Sequence, residues 1–214
     1  MLIPRYCLFS LSRGHYTIIF YEDFLRLHGS THDTKTSYKY ITRCFLLDLP
    51  GFTHKAFVVA LNRGIRIGNT QYPFIVMKIK EEVSMDIKIN LEREEVLQRF
   101  GTNLEKQIKD GNILEGELYH NMAALFATLV KTKVIITGDH FKSMNEEQCL
   151  RCSVKAQEGL LYPLVKSVLF IHKPVVYIKH DEIKEVRMTR LEFTKMKTVR
   201  TFDVQIICKN GNQY

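Results

Sequence analysis

The chain has no tryptophan, only five cysteines in 214 residues, and no low-complexity tract. An odd, scattered set of cysteines argues against a secreted disulfide framework and for a reducing compartment. Composition is ordinary for a globular protein, with 45% apolar residues, so wholesale disorder is not expected. No uninterrupted apolar run is long enough to cross a bilayer. The most apolar stretch, residues 161–178, LYPLVKSVLFIHKPVVYI, carries Lys166, His172 and Lys173 and is broken by Pro163 and Pro174. A membrane helix needs about 20 mostly apolar residues, and each proline removes a backbone donor. Three short strands in an antiparallel meander are the better reading. The N-terminal MLIPRYCLFSLSRG has Arg5 and Arg13 around too short an apolar core for a signal peptide, and reads as a first strand.

Nucleotide and metal signatures are missing as well. There is no GxGxxG, no P-loop and no HExxH. Cys149 and Cys152 form a lone CxxC without the further ligands a zinc site needs. On a strand, positions three apart face opposite sides, so these two read as ordinary strand cysteines. His180-Asp181 and Asp139-His140 are sequence neighbours, which rarely form an acid–base pair, and no nucleophile motif flanks either. Neither an enzyme nor a cofactor is expected.

What the chain does have is strand periodicity. Residues 5–91 read as about seven strands with short links: YCLFSLS, HYTIIFYE, DFLRLHG, TSYKYITRCFLLDL as one long or two short strands, KAFVVALN, PFIVMKIK and MDIKINL. Residues 62–71 read as a loop. The period then changes. Leu97, Phe100, Leu104 and Ile108 form a helical stripe opened by Glu92, Glu94 and Glu95, which complement a helix dipole. Leu118, Met122, Leu125 and Leu129 form a second stripe, and one bent helix or two both fit. Residues 138–148 read as a polar linker, and strands resume with CSVKA, LLYPL, SVLFI, VVYI, EIKEVRM and RTFDVQIIC.

The expected fold is therefore mostly β, of α+β type. Two tandem pleckstrin-homology (PH)-like barrels are expected. Residues 1–137 make the first, with strands to 91 and capping helices over 92–131. Residues 138–148 link it to a second over 149–214, which lacks its last strand and helix. A barrel without that plug exposes apolar core, so the chain is expected to be a fragment.

The balance of 31 Lys and Arg against 23 Asp and Glu, a formal +8, permits nucleic acid, anionic lipid or acidic protein surfaces as partners without choosing among them. Two polar loops of the first unit, 12–15 and 62–71, are placed where recognition usually sits on a rigid scaffold. The loop 192–200 brings Lys195, Lys197 and Arg200 beside Phe193, a set able to touch DNA phosphates without sequence preference. Phosphoinositide-binding PH domains use a dense Lys/Arg cradle on the first strands; only Arg5, Arg13, His15 and Arg26 are available here.

Three blocks carry a family resemblance. Residues 158–164 with the FIHKP and YI strands form one. Arg200-Thr201-Phe202-Asp203-Val204 is another. Arg66-Ile67-Gly68-Asn69-Thr70-Gln71-Tyr72-Pro73-Phe74 is the third, similar to a family pattern RQGQTxYPF, and SRGHYTIIFYEDFLRLHG looks like the family's opening strands. Together, in order along the chain, they closely resemble the middle domain of the small, structure-specific-recognition subunit of the FACT histone chaperone. Ile67 and Asn69 stand where that pattern has Gln. The resemblance implies a tandem PH-like fold and a non-catalytic nuclear, chromosome-bound module. The module would hold the central histone tetramer, or its dimers, while nucleosomes are opened and rebuilt in transcription, replication and repair. It implies the FACT large subunit as a partner, with DNA and a single-stranded-DNA-binding replication protein as further ones. It also implies that Arg13, Arg66, Gly68, Asn69 and Thr70 belong to a histone- and replication-factor-sensitive surface. A membrane adaptor that reads inositol lipids and a purely structural scaffold are the rival readings.

Overall fold

The computed structural model describes all residues except 1, 10–13, 52, 92, 101–107, 110–111, 172 and 190–201. It divides into two compact units, Met1–Thr137 and Gly138–Tyr214.

The first unit is built on one large sheet. Its strands are β1 (Leu2–Phe9), β2 (Gly14–Phe20), β3 (Phe24–Gly29), β4 (Asp33–Ser37), β5 (Ile41–Asp48), β6 (His54–Ile67) and β7 (Thr70–Lys80), with β11 (Val134–Ile136) added late. The order across the sheet is β11-β5-β6-β7-β1-β2-β3-β4. Neighbours are antiparallel except β11, which runs parallel to β5. Alternation explains the inward faces: Ile18 and Phe20 of β2, Leu25 and Leu27 of β3, and Ile75, Met77 and Ile79 of β7 are all buried. TSYKYITRCFLLDL is two strands, split by a 3-10 turn at Tyr38–Tyr40.

Closure differs from the barrel expected. Among the described residues β4 and β11 are free ends of the sheet and do not pair with each other. The reason lies in β5, whose outer edge over Cys44–Leu46 is taken by β11 (Val134↔Cys44, Ile136↔Leu46). A five-residue β4 that turns away at Tyr38 cannot displace it. Tyr38 is buried and its hydroxyl donates to the Tyr21 carbonyl at 2.8 Å.

Two helices follow. α1 (Arg93–Phe100) begins where the acidic residues sit, but Ile108 is not on it: β9 (Ile108–Lys109) joins β8 (Ile87–Lys88) and β10 (Ile113–Leu114) in a small sheet. The helices are thus separate elements. α2 (Leu118–Val130) buries Leu118, Met122, Leu125 and Phe126 against the large sheet. Phe126 meets Phe20 edge to face at 5.4 Å and Phe57 at 4.9 Å. Asn121, buried on the same helix, donates to the Met85 carbonyl at 2.9 Å and the Leu114 carbonyl at 3.3 Å. A buried amide is tolerated because its donors are filled. Lys131 ends the helix in the left-handed conformation, φ 55°.

In the second unit the apolar run over 161–178 is strand, as its prolines and charges predict. β12 (Leu150–Val154), β13 (Gln157–Leu164), β14 (Ser167–Ile171) and β15 (Val176–Lys179) form an antiparallel meander. β16 (Ile183–Thr189) and β17 (Asp203–Cys208) pair separately as a ribbon. Among the described residues these two sheets are not closed into a barrel either. The ribbon leaves Val186, Met188 and Val204 exposed. Among the described residues no helix is long and apolar enough to cross a membrane.

Candidate protein-binding surface

The stretch expected to be a loop over 62–71 is a β-ribbon. β6 runs 14 residues to Ile67 and β7 starts at Thr70, with Ile67↔Thr70 closing a two-residue turn, Gly68-Asn69. The polar Asn62-Arg63-Gly64 mimics a loop but is a bulge: pairing jumps from Ala60↔Phe74 to Ile65↔Tyr72. A bulge bends a strand and re-aims the residues beyond it. Gly64 permits it, because a Cβ there would lie 2.7 Å from the Tyr72 carbonyl oxygen. Past the bulge, Ile65 is buried and Tyr72 and Ile67 pack on the core. The ribbon is thereby anchored while its tip projects.

Arg66, Gly68, Asn69 and Thr70 are all exposed at that tip. Arg66 Nε donates to the Gly68 carbonyl oxygen at 3.2 Å, bracing the turn. Gly68 has φ +57°, and a Cβ on it would meet nothing within 4 Å. Glycine at the first central position with positive φ is the requirement of a type II′ hairpin turn. Gly68→Ala is expected to destabilise the first unit by about 1–2 kcal/mol through backbone strain alone. Asn69→Ala, at a residue without positive φ, should cost less. Chemical denaturation of both variants checks the ordering.

The structure thus brings four of the expected site residues together. Arg13 lies outside the described residues, as do Lys195, Lys197 and Arg200. Next along the ribbon stands a set that sequence reading does not single out. Arg63 Nη1 donates to the Tyr40 hydroxyl at 3.2 Å, its guanidinium lies 5.4 Å from the Tyr40 ring centroid, and Lys39 Nζ lies 5.2 Å from the same centroid. The Arg63 hydrogen bond and the Lys39 charge lower the Tyr40 pKa from its ordinary value. The alternation in Tyr38-Lys39-Tyr40 is a usable signal, but the partner 23 residues away is not.

A second feature lies on the outer face of β3 and β4. An open cleft of about 560 Å³ is lined by Tyr21, Phe24, Arg26, Asp33, Thr34 and Lys35. Tyr21 and Phe24 stack at 4.4 Å, 13° from parallel. Register places Arg26 beside Lys35 and His28 beside Asp33. Arg26 Nε donates to Asp33 Oδ1 at 2.9 Å, and that hydrogen bond holds the Asp33 carboxyl well below the usual carboxylate range.

No catalytic or metal constellation emerges among the described residues. Cys149 is buried and Cys152 half-buried, where burial raises its thiol pKa. No group of three or more His, Cys, Asp or Glu is placed to hold a metal there. The His140 Nε2 atom lies 2.8 Å from the Pro163 carbonyl oxygen.

Against known proteins, the model of the SSRP1 PH domain matches residues 5–134. The model of the Rttp106-like histone chaperone middle domain matches residues 148–214. The FACT complex subunit SSRP1 of Gallus gallus is 36% identical over 202 residues, 94% of this chain and 27% of that protein. The FACT complex subunit POB3 of Debaryomyces hansenii is 34% identical over 206 residues, 96% of this chain and 37% of that protein. The chain therefore spans well under half the length of these curated relatives. A solved structure of the Spt16D Pob3N heterodimer overlaps 97% of this chain and 82% of its own at TM-score 0.38 and 10% identity, too loose a likeness to carry an argument. With the SSRP1 PH-domain model matching residues 5–134, well over half of the chain, the chain belongs to the SSRP1/POB3 family of FACT complex subunits.

Proposed function

We propose that this chain is a histone-binding, non-catalytic module of a FACT-type chaperone, built as two PH-like domains over 1–137 and 149–214 joined by 138–148. It holds the central histone tetramer or its dimers while nucleosomes are loosened and rebuilt, in the nucleus and on chromosomes, within a complex that includes the FACT large subunit. The observation that carries this reading is the match of both units, in order, to the family's domains. The braced tip at Arg66, Gly68, Asn69 and Thr70 supports it as the contact point, since a rigid exposed hairpin recognises at little ordering cost. Lys195, Lys197 and Arg200 are proposed to touch DNA phosphates beside the histone.

Charge shapes the mechanism. Histones are basic and so is this chain, at +8. Long-range attraction cannot drive the encounter, so affinity must come from close polar and apolar contacts on surfaces that DNA otherwise covers. The expected result in a calorimetric titration with the reconstituted tetramer is saturable binding, micromolar or tighter, that persists when salt is raised. Arg66→Ala combined with Asn69→Ala should weaken it about tenfold. A parallel arm uses inositol-lipid vesicles. Binding to vesicles with none to histone overturns the proposal in favour of a membrane adaptor.

A further inference from the structure

Several cations in this fold are matched with acids. Lys55 is paired with Asp48 and Glu81, Lys109 with Glu115, Lys142 with Asp139 and Glu146, and Arg187 with Glu185. Lys55 also lies 5.3 Å from the Tyr119 ring centroid, so sitting against an aromatic face does not by itself prevent pairing. Three others lie against aromatic rings instead: Lys35 on β4, Lys39 on the 3-10 turn after it, and Arg63 on β6. Lys35 lies 5.7 Å from the Phe24 centroid, and Lys39 and Arg63 both lie against Tyr40. All three are exposed, and among the described residues none makes an ion pair.

Lys35 lines the β3–β4 cleft, and Lys39 stands four residues on, in the 3-10 turn that ends β4. Among the described lining residues the acid is Asp33, which is already engaged by Arg26 and lies 3.2 Å from His28 Nδ1, while the exposed Glu22 and Asp23 stand on the turn between Tyr21 and Phe24. Asp33 itself offers little to a basic ligand. The cleft's aromatic lining is the stacked pair Tyr21 and Phe24, with Tyr21 41% exposed.

We propose that this cleft and the adjoining Lys39–Tyr40–Arg63 cluster form a docking groove for an acidic, aromatic-bearing peptide segment of a partner protein. One aromatic side chain of the segment lies on the Tyr21–Phe24 stack. Its carboxylates meet Lys35, Lys39 and Arg63. Arg63 gives one N–H to Tyr40 and keeps the rest of its fork for a bidentate carboxylate. The cations lie against ring faces, so part of the cost of ordering them is met before the ligand arrives. A stacked aromatic pair beside unmatched positive charge favours a peptide with both features over a bare polyanion. This site reaches the ribbon at Arg63, three residues before Arg66, and its test reads a peptide rather than histone.

The absence of tryptophan from the chain makes the test direct. A synthetic peptide of Glu, Asp and Ser with a single Trp carries the only indole in the mixture, so its emission reports its own surroundings. The expected result is saturable binding with a blue-shifted Trp signal that weakens as salt rises. Lys35→Ala, Lys39→Ala and Arg63→Ala combined should reduce affinity at least about tenfold. Tyr21→Ala should abolish the spectral shift while leaving part of the affinity. Circular dichroism confirms that these surface variants fold. Absence of binding overturns the proposal. So does equal binding of a Trp-free acidic peptide, or tighter binding of duplex DNA that is lost in the same triple variant, which would make the patch a general polyanion track.

Discussion

Phe126→Ala is expected to cost the first unit about 3–5 kcal/mol, the range for emptying a large aromatic from a packed core. The side chain is fully buried. Its ring closes on Phe20 edge to face and on Phe57 at a tilt, and each such pair adds roughly 0.5–1.5 kcal/mol beyond the area it buries. The residue matters because of topology. The sheet does not close on itself among the described strands, so the helix, rather than a final hydrogen-bonded strand pair, covers the core. Truncation removes the point at which α2 reaches two strands at once, β2 through Phe20 and β6 through Phe57. A domain of this size has only about 5–15 kcal/mol in hand, and the midpoint of thermal unfolding should fall by roughly 10–20 °C. Leu129→Ala, at a half-buried position of the same helix, should cost clearly less. Denaturation followed by far-UV circular dichroism measures both. A loss below about 1 kcal/mol for Phe126→Ala would show that α2 is not the plug.

That helix is legible in the sequence, and comparing it with the elements that are not shows where local pattern stops. Leu118, Met122, Leu125 and Leu129 repeat by three and four over 13 residues, long enough for the period to declare itself. Leu25 and Leu27 alternate with Arg26 and His28 just as plainly. Ile108 falls into a helical stripe by spacing because a two-residue strand carries no period at all. Residues 62–71 read as a loop because Asn, Arg and Gly are turn formers; only the register across to Tyr72 reveals a bulge within a continuing ribbon. Barrel closure fails as an expectation for a non-local reason. The strand that takes the edge of β5 arrives some ninety residues later in the chain. The candidate surface divides in the same way. Gly68, Asn69 and Thr70 announce a turn by residue type. Arg26–Asp33 and Arg63–Tyr40 depend on which residues face each other across strands, which composition does not encode. The resemblance supplies the family but cannot supply those pairings.

Gly159→Ala should reverse the usual sign of its substitution class. Where the backbone is ordinary, replacing glycine with alanine stabilises by about 0.4–1 kcal/mol, because the unfolded chain loses freedom. Gly159 is not in the positive-φ region, so no backbone strain opposes the change. Space does. A Cβ on Gly159 would lie 2.3 Å from the Ile171 carbonyl oxygen and 2.4 Å from Phe170 Cζ. The carbonyl belongs to β14, held in register with β13 through Leu160↔Ile171, and cannot retreat without opening the ladder. The ring is 1% exposed and has no solvent side to swing into. Overpacking against two fixed neighbours should cost about 3 kcal/mol, the upper end of its usual range, and should lower amide protection along β13 and β14 before the rest of the unit. The two clashes can be separated. Phe170→Leu in the Gly159→Ala background removes the ring contact and leaves the carbonyl contact, so it should recover part of the loss. Phe170→Leu alone is destabilising, and the cycle of the two measures their coupling. A neutral or stabilising Gly159→Ala would mean that β13 and β14 do not approach as closely as this register requires. It would call into question the close packing of β13 against β14.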